Sequence, residues 1–342
     1  MYCGGFKIST VGNADDAYAT FSDQRLWRMA RLLCGTVMST FLLRRLFLAI
    51  AVAFCVSILT FALLHLAADP AIAMAGEDAT EEQVQAVRKA FGFDRPLYVQ
   101  YADWLAKAVQ GDLGSSPYFG LEVRDLIAER LPVTIKLGTM SIVFALILGI
   151  PLGMIAAIYP NTLIDRASLS LAVFGQAIPN FWFGLMLIYV LSVQLKLLPA
   201  SGVSGTESLI MPMIVLGTNA VPAIMRLTRT GMLEVLASDY IRTAWAKGLL
   251  PHQIYIRHAL RNAIVPVISV AAIQAAYMLG GSIVVEAVFA LPGLGRLAYE
   301  SILRSDIPTM QAIIILFSSF FIIFSALSDI INAYVDPRIR IS

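Results

Sequence analysis

The densest collection of residues with interaction chemistry lies in one stretch, Ser238–Pro266, SDYIRTAWAKGLLPHQIYIRHALRNAIVP. Arg242, Lys247, Arg257 and Arg261 make it basic, with Asp239 the only acid. Tyr240, Ile241, Ala244, Trp245, Leu249 and Leu250 recur at helical spacing, as on an amphipathic helix. Gly248 and Pro251 interrupt that spacing, because glycine accepts the turn that ends a helix and proline cannot continue one. A second short helix is predicted over roughly Gln253–Asn262. Two short amphipathic helices hinged at a glycine suit docking against another protein and suit catalysis poorly. Enzymatic chemistry finds no other home in the chain. No GxxxxGK[ST] phosphate cradle is present, and Gly293-Leu294-Gly295 is a lone turn. The three histidines (His65, His252, His258) and three cysteines (Cys3, Cys34, Cys55) show neither metal-ligand nor CxxC spacing, which argues against a metal site, a disulfide framework or a bound cofactor. Any energy for work must come from a partner.

The elements that hold this stretch are apolar. Of 342 residues, 58% are hydrophobic and 14% charged, and the mean hydropathy is +0.76, far from soluble-domain composition and typical of a polytopic membrane protein. An all-α fold with six transmembrane helices is predicted at about Leu46–Ala67, Ile135–Ile158, Leu169–Val193, Leu209–Met225, Ala263–Val285 and Met310–Val335, since about 20 apolar residues cross a hydrocarbon core. The third is interrupted by Gln176 and Pro179-Asn180, and the fourth holds Pro212 and Pro222. Residues 1–37 show no sustained period and read as an extension, disordered or preceding a true start at Met38. Arg44-Arg45 ahead of a run long enough to span, without a small-residue cleavage site, does not read as a removed leader. Residues 337–342 form a short tail.

Lys and Arg fall in the short loops that share a side with both termini, so the N-terminus, the C-terminus and the basic stretch are placed inside. Residues 69–132, rich in acids, then lie outside and contain an amphipathic helix at Glu81–Phe91. Val123–Pro132 reads as an interfacial helix leading into the second span, and Gly149-x-x-x-Gly153 as a close helix contact. Polar residues at membrane depth mark candidate paths: Gln176, Asn180, Asn219 and Gln274 for translocation, and Asp329, unpaired in the sequence pattern, for gating. Glu286–Arg304 is too charged to span and reads as a re-entrant or surface hairpin.

Three blocks of sequence resemble one family. The first is DY-RTA-AKGL…HALRNA--P, at Asp239–Pro266. The second is G-DRPL--QY--WL----GDLG-S, at Gly92–Ser116. The third is E-VF--PGLGRL, at Glu286–Leu297. They are similar to the permeases of binding-protein-dependent ABC importers, in particular the dipeptide/oligopeptide/nickel branch. Anchored on Gly248, the general family loop would place Glu-Ala-Ala on Arg242, Thr243 and Ala244, and its final Leu-Pro on Leu260 and Arg261. The missing glutamate and proline are themselves typical of the peptide/nickel branch. The resemblance, which covers about Met38–Ser342, implies the type I importer permease fold with a core at 133–336 and a coupling loop at 226–262. It also implies a bacterial inner-membrane location, a second related permease subunit, two cytoplasmic ABC ATPase subunits and an extracytoplasmic solute-binding protein, with no role for nucleic acid. Tyr240, Arg242, Thr243, Ala244, Lys247, Gly248, His258, Arg261 and Asn262 would form the ATPase-coupling loop. Glu286, Pro292, Gly293 and Gly295 would form an extracytoplasmic hairpin. The competing class is an ion-coupled secondary transporter, which should show paired intramembrane charges or inverted repeats.

Overall fold

The structure, a computed structural model, describes residues 24–67, 69–76, 79–203 and 205–335; most of the N-terminal extension and the 337–342 tail lie outside them. Among the described residues the chain is helical, with a single isolated bridge between Ser115 and Glu122. Helix α1 (Gln24–Ala67) carries the first apolar span, Arg44–Leu66. It begins well before Met38, so the part of the extension from Gln24 onward is helix rather than irregular chain. Residues 24–37 are mostly good helix formers, and prolonging an existing helix avoids the cost of nucleation.

After this span come three short helices, α2 (Pro70–Ala75), α3 (Glu81–Phe91) and α4 (Leu97–Val109). A Thr80/Gln83 capping box opens α3, and left-handed Gly92 closes it, which relieves the unpaired backbone groups at both ends. Helix α5 (Val123–Ile158) then runs unbroken through Pro132 and Pro151. The predicted interfacial helix and second span are thus one rod, whose first turns bury Val123, Leu126 and Ile127 against later helices.

The third and fourth spans are each broken. Helices α6 (Leu163–Ala177) and α7 (Asn180–Leu187, continued by π turns to Gln194) meet at 97° across Ile178-Pro179. Helices α8 (Ile210–Thr218) and α9 (Val221–Leu236) meet at 54° across Asn219-Ala220, with Pro222 in the first turn of α9, where its missing N–H costs least. The coupling segment follows: α10 (Asp239–Ala246), then α11 (Pro251–Gln253), a π-helical turn Ile254–Leu260, and α12 (Arg261–Ala263). Helix α13 (Val265–Val288) extends past the predicted end at Val285, so Glu286 belongs to the fifth span and not to the hairpin loop. Helices α14 (Leu294–Leu303) and α15 (Ile307–Val335) complete the chain.

Contacts sort the helix ends into two faces. At one end Arg45 meets Asp329, Asp165 meets Arg229, and Ala157 packs with Met232 and Ile241. At the other, Ser57 meets Tyr101, Ser116 meets Asp306, Thr134 meets Glu286, and the Gly202 N–H bonds the Phe289 carbonyl. The α6–α7 pair starts at the first face and leads to Gly202 at the second; the α8–α9 pair returns. Each bent pair is therefore one crossing, and the six crossings match the six predicted.

Lipid tails are as apolar as leucine, so helices in a membrane cohere through close packing rather than the hydrophobic effect. The α5–α9 contact shows how. A Cβ on Gly149 would lie 2.7 Å from Ile224 Cγ2, and one on Gly153 would lie 2.5 Å from the Met225 carbonyl oxygen. The GxxxG spacing thus lets two backbones approach, and Leu137, Val215, Ile224, Met225 and Val285 fill the core around them.

Candidate coupling surface and translocation path

Helix α9 leaves the bundle and passes through Ala237-Ser238 directly into α10. Ile241 and Ala244 on α10, Ile254 and Ala259 on the π turn, and Ala263 are buried against Ala157 and Met232. Gly248 has φ of 73°, and its N–H bonds the Trp245 carbonyl. This left-handed turn folds α10 back on α11–α12, a conformation glycine adopts freely. The Asn262 amide donates to the Tyr240 hydroxyl at 2.7 Å, and Trp245 meets Tyr255 edge to face. The two predicted helices are thus locked into one rigid body.

Facing outward from that body are Tyr240, Arg242, Thr243, Lys247 and Arg261 of the expected coupling residues, with His258 half-buried. Ala244 points the other way and is buried, so it belongs to the body's interior rather than its docking face. Trp245, Leu250 and Ile256 stand exposed beside the basic residues. The helical period pointed to these apolar positions without telling which of them face out, because two helices share the burial. Arg242 reaches only its neighbour Asp239, at 3.6 Å with both side chains exposed, and such a pair contributes little.

Behind this body is a contact that sequence reasoning missed. Arg229, about two turns before the end of α9, donates from Nε to Asp165 Oδ1 at 2.8 Å and from Nη2 to Oδ2 at 2.7 Å. Asp165 also accepts from the Asn161 N–H, and its side chain is 4% exposed. A bidentate guanidinium–carboxylate pair fixes orientation as well as distance, so α9 and the start of α6 are tied as a unit.

The intramembrane amides divide. Asn219 donates to Asn180 Oδ1 at 2.7 Å and to the Val215 carbonyl at 3.3 Å, so the breaks in the third and fourth spans meet through their asparagines. Thr218 also lies against Gly175, where a Cβ would come within 2.7 Å. Gln176 is exposed and Gln274 half-buried; neither joins that pair. Asp329 corrects an expectation: it is not unpaired, because Arg45 Nη1 lies 2.7 Å from its Oδ2. The two residues come from opposite ends of the sequence, so no local pattern announces them. Ser269 adds a bond to Asn332 in the same region.

Near the end of α13, Glu286 is fully buried. One carboxylate oxygen accepts from Thr134 Oγ1 at 2.8 Å and the other from the Arg296 N–H at 3.0 Å, while Thr134 Oγ1 accepts from the Leu294 N–H. The carboxylate therefore closes the N-terminus of α14, where unpaired N–H groups favour an acid. Gly293 and Gly295 leave room for it: a Cβ on either would come within 3.0 Å of the carboxylate or of α13 backbone. Pro292 is half-buried beside them. No group of three or more His, Cys, Asp or Glu able to hold a metal occurs among the described residues.

The arrangement is a helical bundle with two broken spans and a basic and apolar knob at one end. The sequence profile of the binding-protein-dependent transport system inner membrane components matches residues 149–341, and that of their N-terminal segment matches 38–138. The chain belongs to this family. It is therefore an inner-membrane component of a transport system and a permease rather than an ATPase. It is 41% identical over 304 residues to the glutathione transport system permease protein GsiC of Escherichia coli strain K12, covering 89% of this chain and 99% of the relative. It is 38% identical over 312 residues to a probable peptide ABC transporter permease, y4tP, of Sinorhizobium fredii, covering 89% and 100%. Its fold is that of a chain of the MetNI methionine ABC transporter captured in inward-facing conformations, with a TM-score of 0.53 at 21% identity over 62% of this chain and 96% of the other.

Proposed function

We propose that this permease forms half of the translocation path of a bacterial ATP-driven importer for peptides or similar small solutes. A second related permease chain completes the path, two ABC ATPase subunits dock on its cytoplasmic face, and an extracytoplasmic binding protein delivers the solute. The observation that carries this reading is the knob built from α10–α12: rigid behind, and apolar and basic in front through Trp245, Leu250, Arg242 and Lys247. An exposed face of that composition on a membrane bundle suits a groove on a soluble partner. The relatives named for glutathione and peptide transport supply the solute class.

ATP-driven closure of the ATPases would move the knob. Only Ala237-Ser238 separates α9 from α10, so a displacement of the knob pulls on α9, and Arg229–Asp165 passes it to α6. The break after α6 and the break before α9 meet at the Asn180–Asn219 contact, and discontinuous helices at mid-membrane are where transporters expose backbone and amide groups to solute. The path then opens alternately to either side, with the binding protein and its cargo setting selection. An ion-coupled mechanism is disfavoured because Asp165, Glu286 and Asp329 are each engaged by a protein partner, leaving none of these three free for a coupling ion. Co-purification tests the proposal. Co-expressed with its neighbouring permease and ATPase genes, the chain should retain the ATPase, and Leu250→Glu should release it while the permease pair stays intact.

A further inference from the structure

Helix α13 is packed on most sides and open on one. Tyr277 is 60% exposed and Val284 46%, while Gly281 is exposed and Gln274 half-buried; helical spacing puts these four on one stripe. Around the rest of the helix Ala276, Met278, Leu279 and Val285 are buried. Tyr277 lies midway along Val265–Val288. A Cβ on Gly138 of α5 would touch Leu279, and one on Gly217 of α8 would touch Ser141 of α5. Measured along α5, Tyr277 is therefore within about two turns in depth of the Asn180–Asn219 contact. Helices α7 and α8, which end at that contact, pack on α13.

The stripe is polar where a lipid-facing stripe would not be. The Tyr277 ring meets Phe321 edge to face with centroids 5.4 Å apart. Neither its hydroxyl nor the Gln274 amide has a hydrogen-bond partner among the described residues. Such groups at mid-membrane are costly against hydrocarbon and face water or protein instead. One turn further toward Val288, Gly280 and Gly281 stand side by side, although a Cβ on either would meet nothing. Both keep ordinary helical φ, so neither a turn nor a contact within this chain calls for glycine, and glycines weaken a helix. What they leave is room. Helical side chains lean toward the N-terminus, so the phenol covers the Gln274 turn and leaves the glycine turn bare. A helix seated on the glycine turn would run into the Tyr277 ring on the same stripe, whereas a small solute fits beside it.

We infer that Tyr277 is a specificity-determining residue of the translocation path. Its ring and hydroxyl, with the Gln274 amide, form a floor for a peptide-like solute, and the bare glycine turn beside it admits the solute's bulk. A peptide group offers both a donor and an acceptor to a phenol and an amide, and an apolar side chain lies on the ring. The inference rests on the importer reading and deepens it. The assembled transporter, in a cysteine-free background and in lipid nanodiscs, should be treated with a charged, lipid-insoluble methanethiosulfonate in Tyr277→Cys, Gly281→Cys and Val52→Cys forms. Val52 is exposed on the first span and serves as the lipid-facing reference. Labelling at positions 277 and 281 with none at 52 is the expected result. Silence at 277 and 281 in an assembled complex means that lipid or the second permease covers the stripe, and overturns the inference. In proteoliposomes supplied with the binding protein, Gly281→Leu should lower uptake of Ala-Phe relative to Ala-Ala, and Tyr277→Ala should raise it, each by roughly tenfold, the scale of discrimination by one side chain in a pocket. A mere loss of stability would move both dipeptides together. An unchanged ratio in both variants overturns the inference while the importer reading stands. Failure of that reading shows differently: the wild type then takes up neither dipeptide, whatever the labelling.

Discussion

Arg229→Ala is the most informative single perturbation. Removing the guanidinium strands the Asp165 carboxylate, 4% exposed, with only the Asn161 N–H as a charge-stabilising donor. An uncompensated buried ion costs about 3–5 kcal/mol, whereas replacing both members of such a pair costs far less. Arg229 retains partial solvent access, which places the expected loss at the lower end, about 3 kcal/mol. The double variant Asp165→Ala/Arg229→Ala should then be about 2 kcal/mol more stable than the sum of the singles implies, a coupling well above additivity error. The assay is thermal unfolding of the assembled complex in detergent for wild type, both singles and the double. Transport and ATP hydrolysis in proteoliposomes are read in parallel. The double variant, which folds but has lost the tie between α9 and α6, should hydrolyse ATP with transport reduced at least tenfold. A coupling energy under about 0.5 kcal/mol, or full transport in the double variant, would refute the reasoning.

Three further outcomes follow from other contacts. Glu286→Gln keeps the shape but sets an amide against donors, either Thr134 Oγ1 or the Arg296 N–H; a loss of about 1–3 kcal/mol and easier proteolysis near Gly293 should be measurable. Gly153→Ala drives a Cβ to 2.5 Å from the Met225 carbonyl oxygen, which cannot yield as a side chain would. Its melting point should fall, with overpacking worth about 1–3 kcal/mol, and by more than that of Gly149→Ala, whose nearest obstacle is the Ile224 side chain. Asn219→Leu breaks the link between the two helix breaks and leaves Asn180 without its amide partner; solute uptake should drop while ATPase retention on the complex stays at the wild-type level.

What could be read in the sequence was whatever is local. Ser238–Pro266 announced two short helices and their glycine turn because period, glycine and proline act within a few residues. Pro179-Asn180 and Pro222 marked the third and fourth spans as irregular, but a proline states that a helix is disturbed and not that it turns by 97°. The residues that tie the bundle together were invisible for the opposite reason. Asp165 and Arg229 are 64 positions apart, Thr134 and Glu286 are 152 apart, and Arg45 finds Asp329 across nearly the whole described chain. No local pattern links either member of these pairs to its partner. Glu286 sat in a recognised motif, yet its burial beneath the N-terminus of α14 could not be inferred without knowing that α5 supplies Thr134. On the knob, Ala244 and Trp245 are neighbours of similar apparent promise, and only the packing of α10 on α11–α12 shows that one faces in and the other out.

The coupling surface itself is tested most directly by site-specific photo-crosslinking in the intact transporter. A photoreactive residue would be placed in turn at Trp245, Leu250, Ala244 and Tyr299, the last an exposed residue of the opposite face. Covalent adducts to the ATPase subunit from Trp245 and Leu250, with none from Ala244 or Tyr299, are the predicted result. An active complex whose ATPase crosslinks to neither Trp245 nor Leu250 would contradict the assignment of the knob as the ATPase dock.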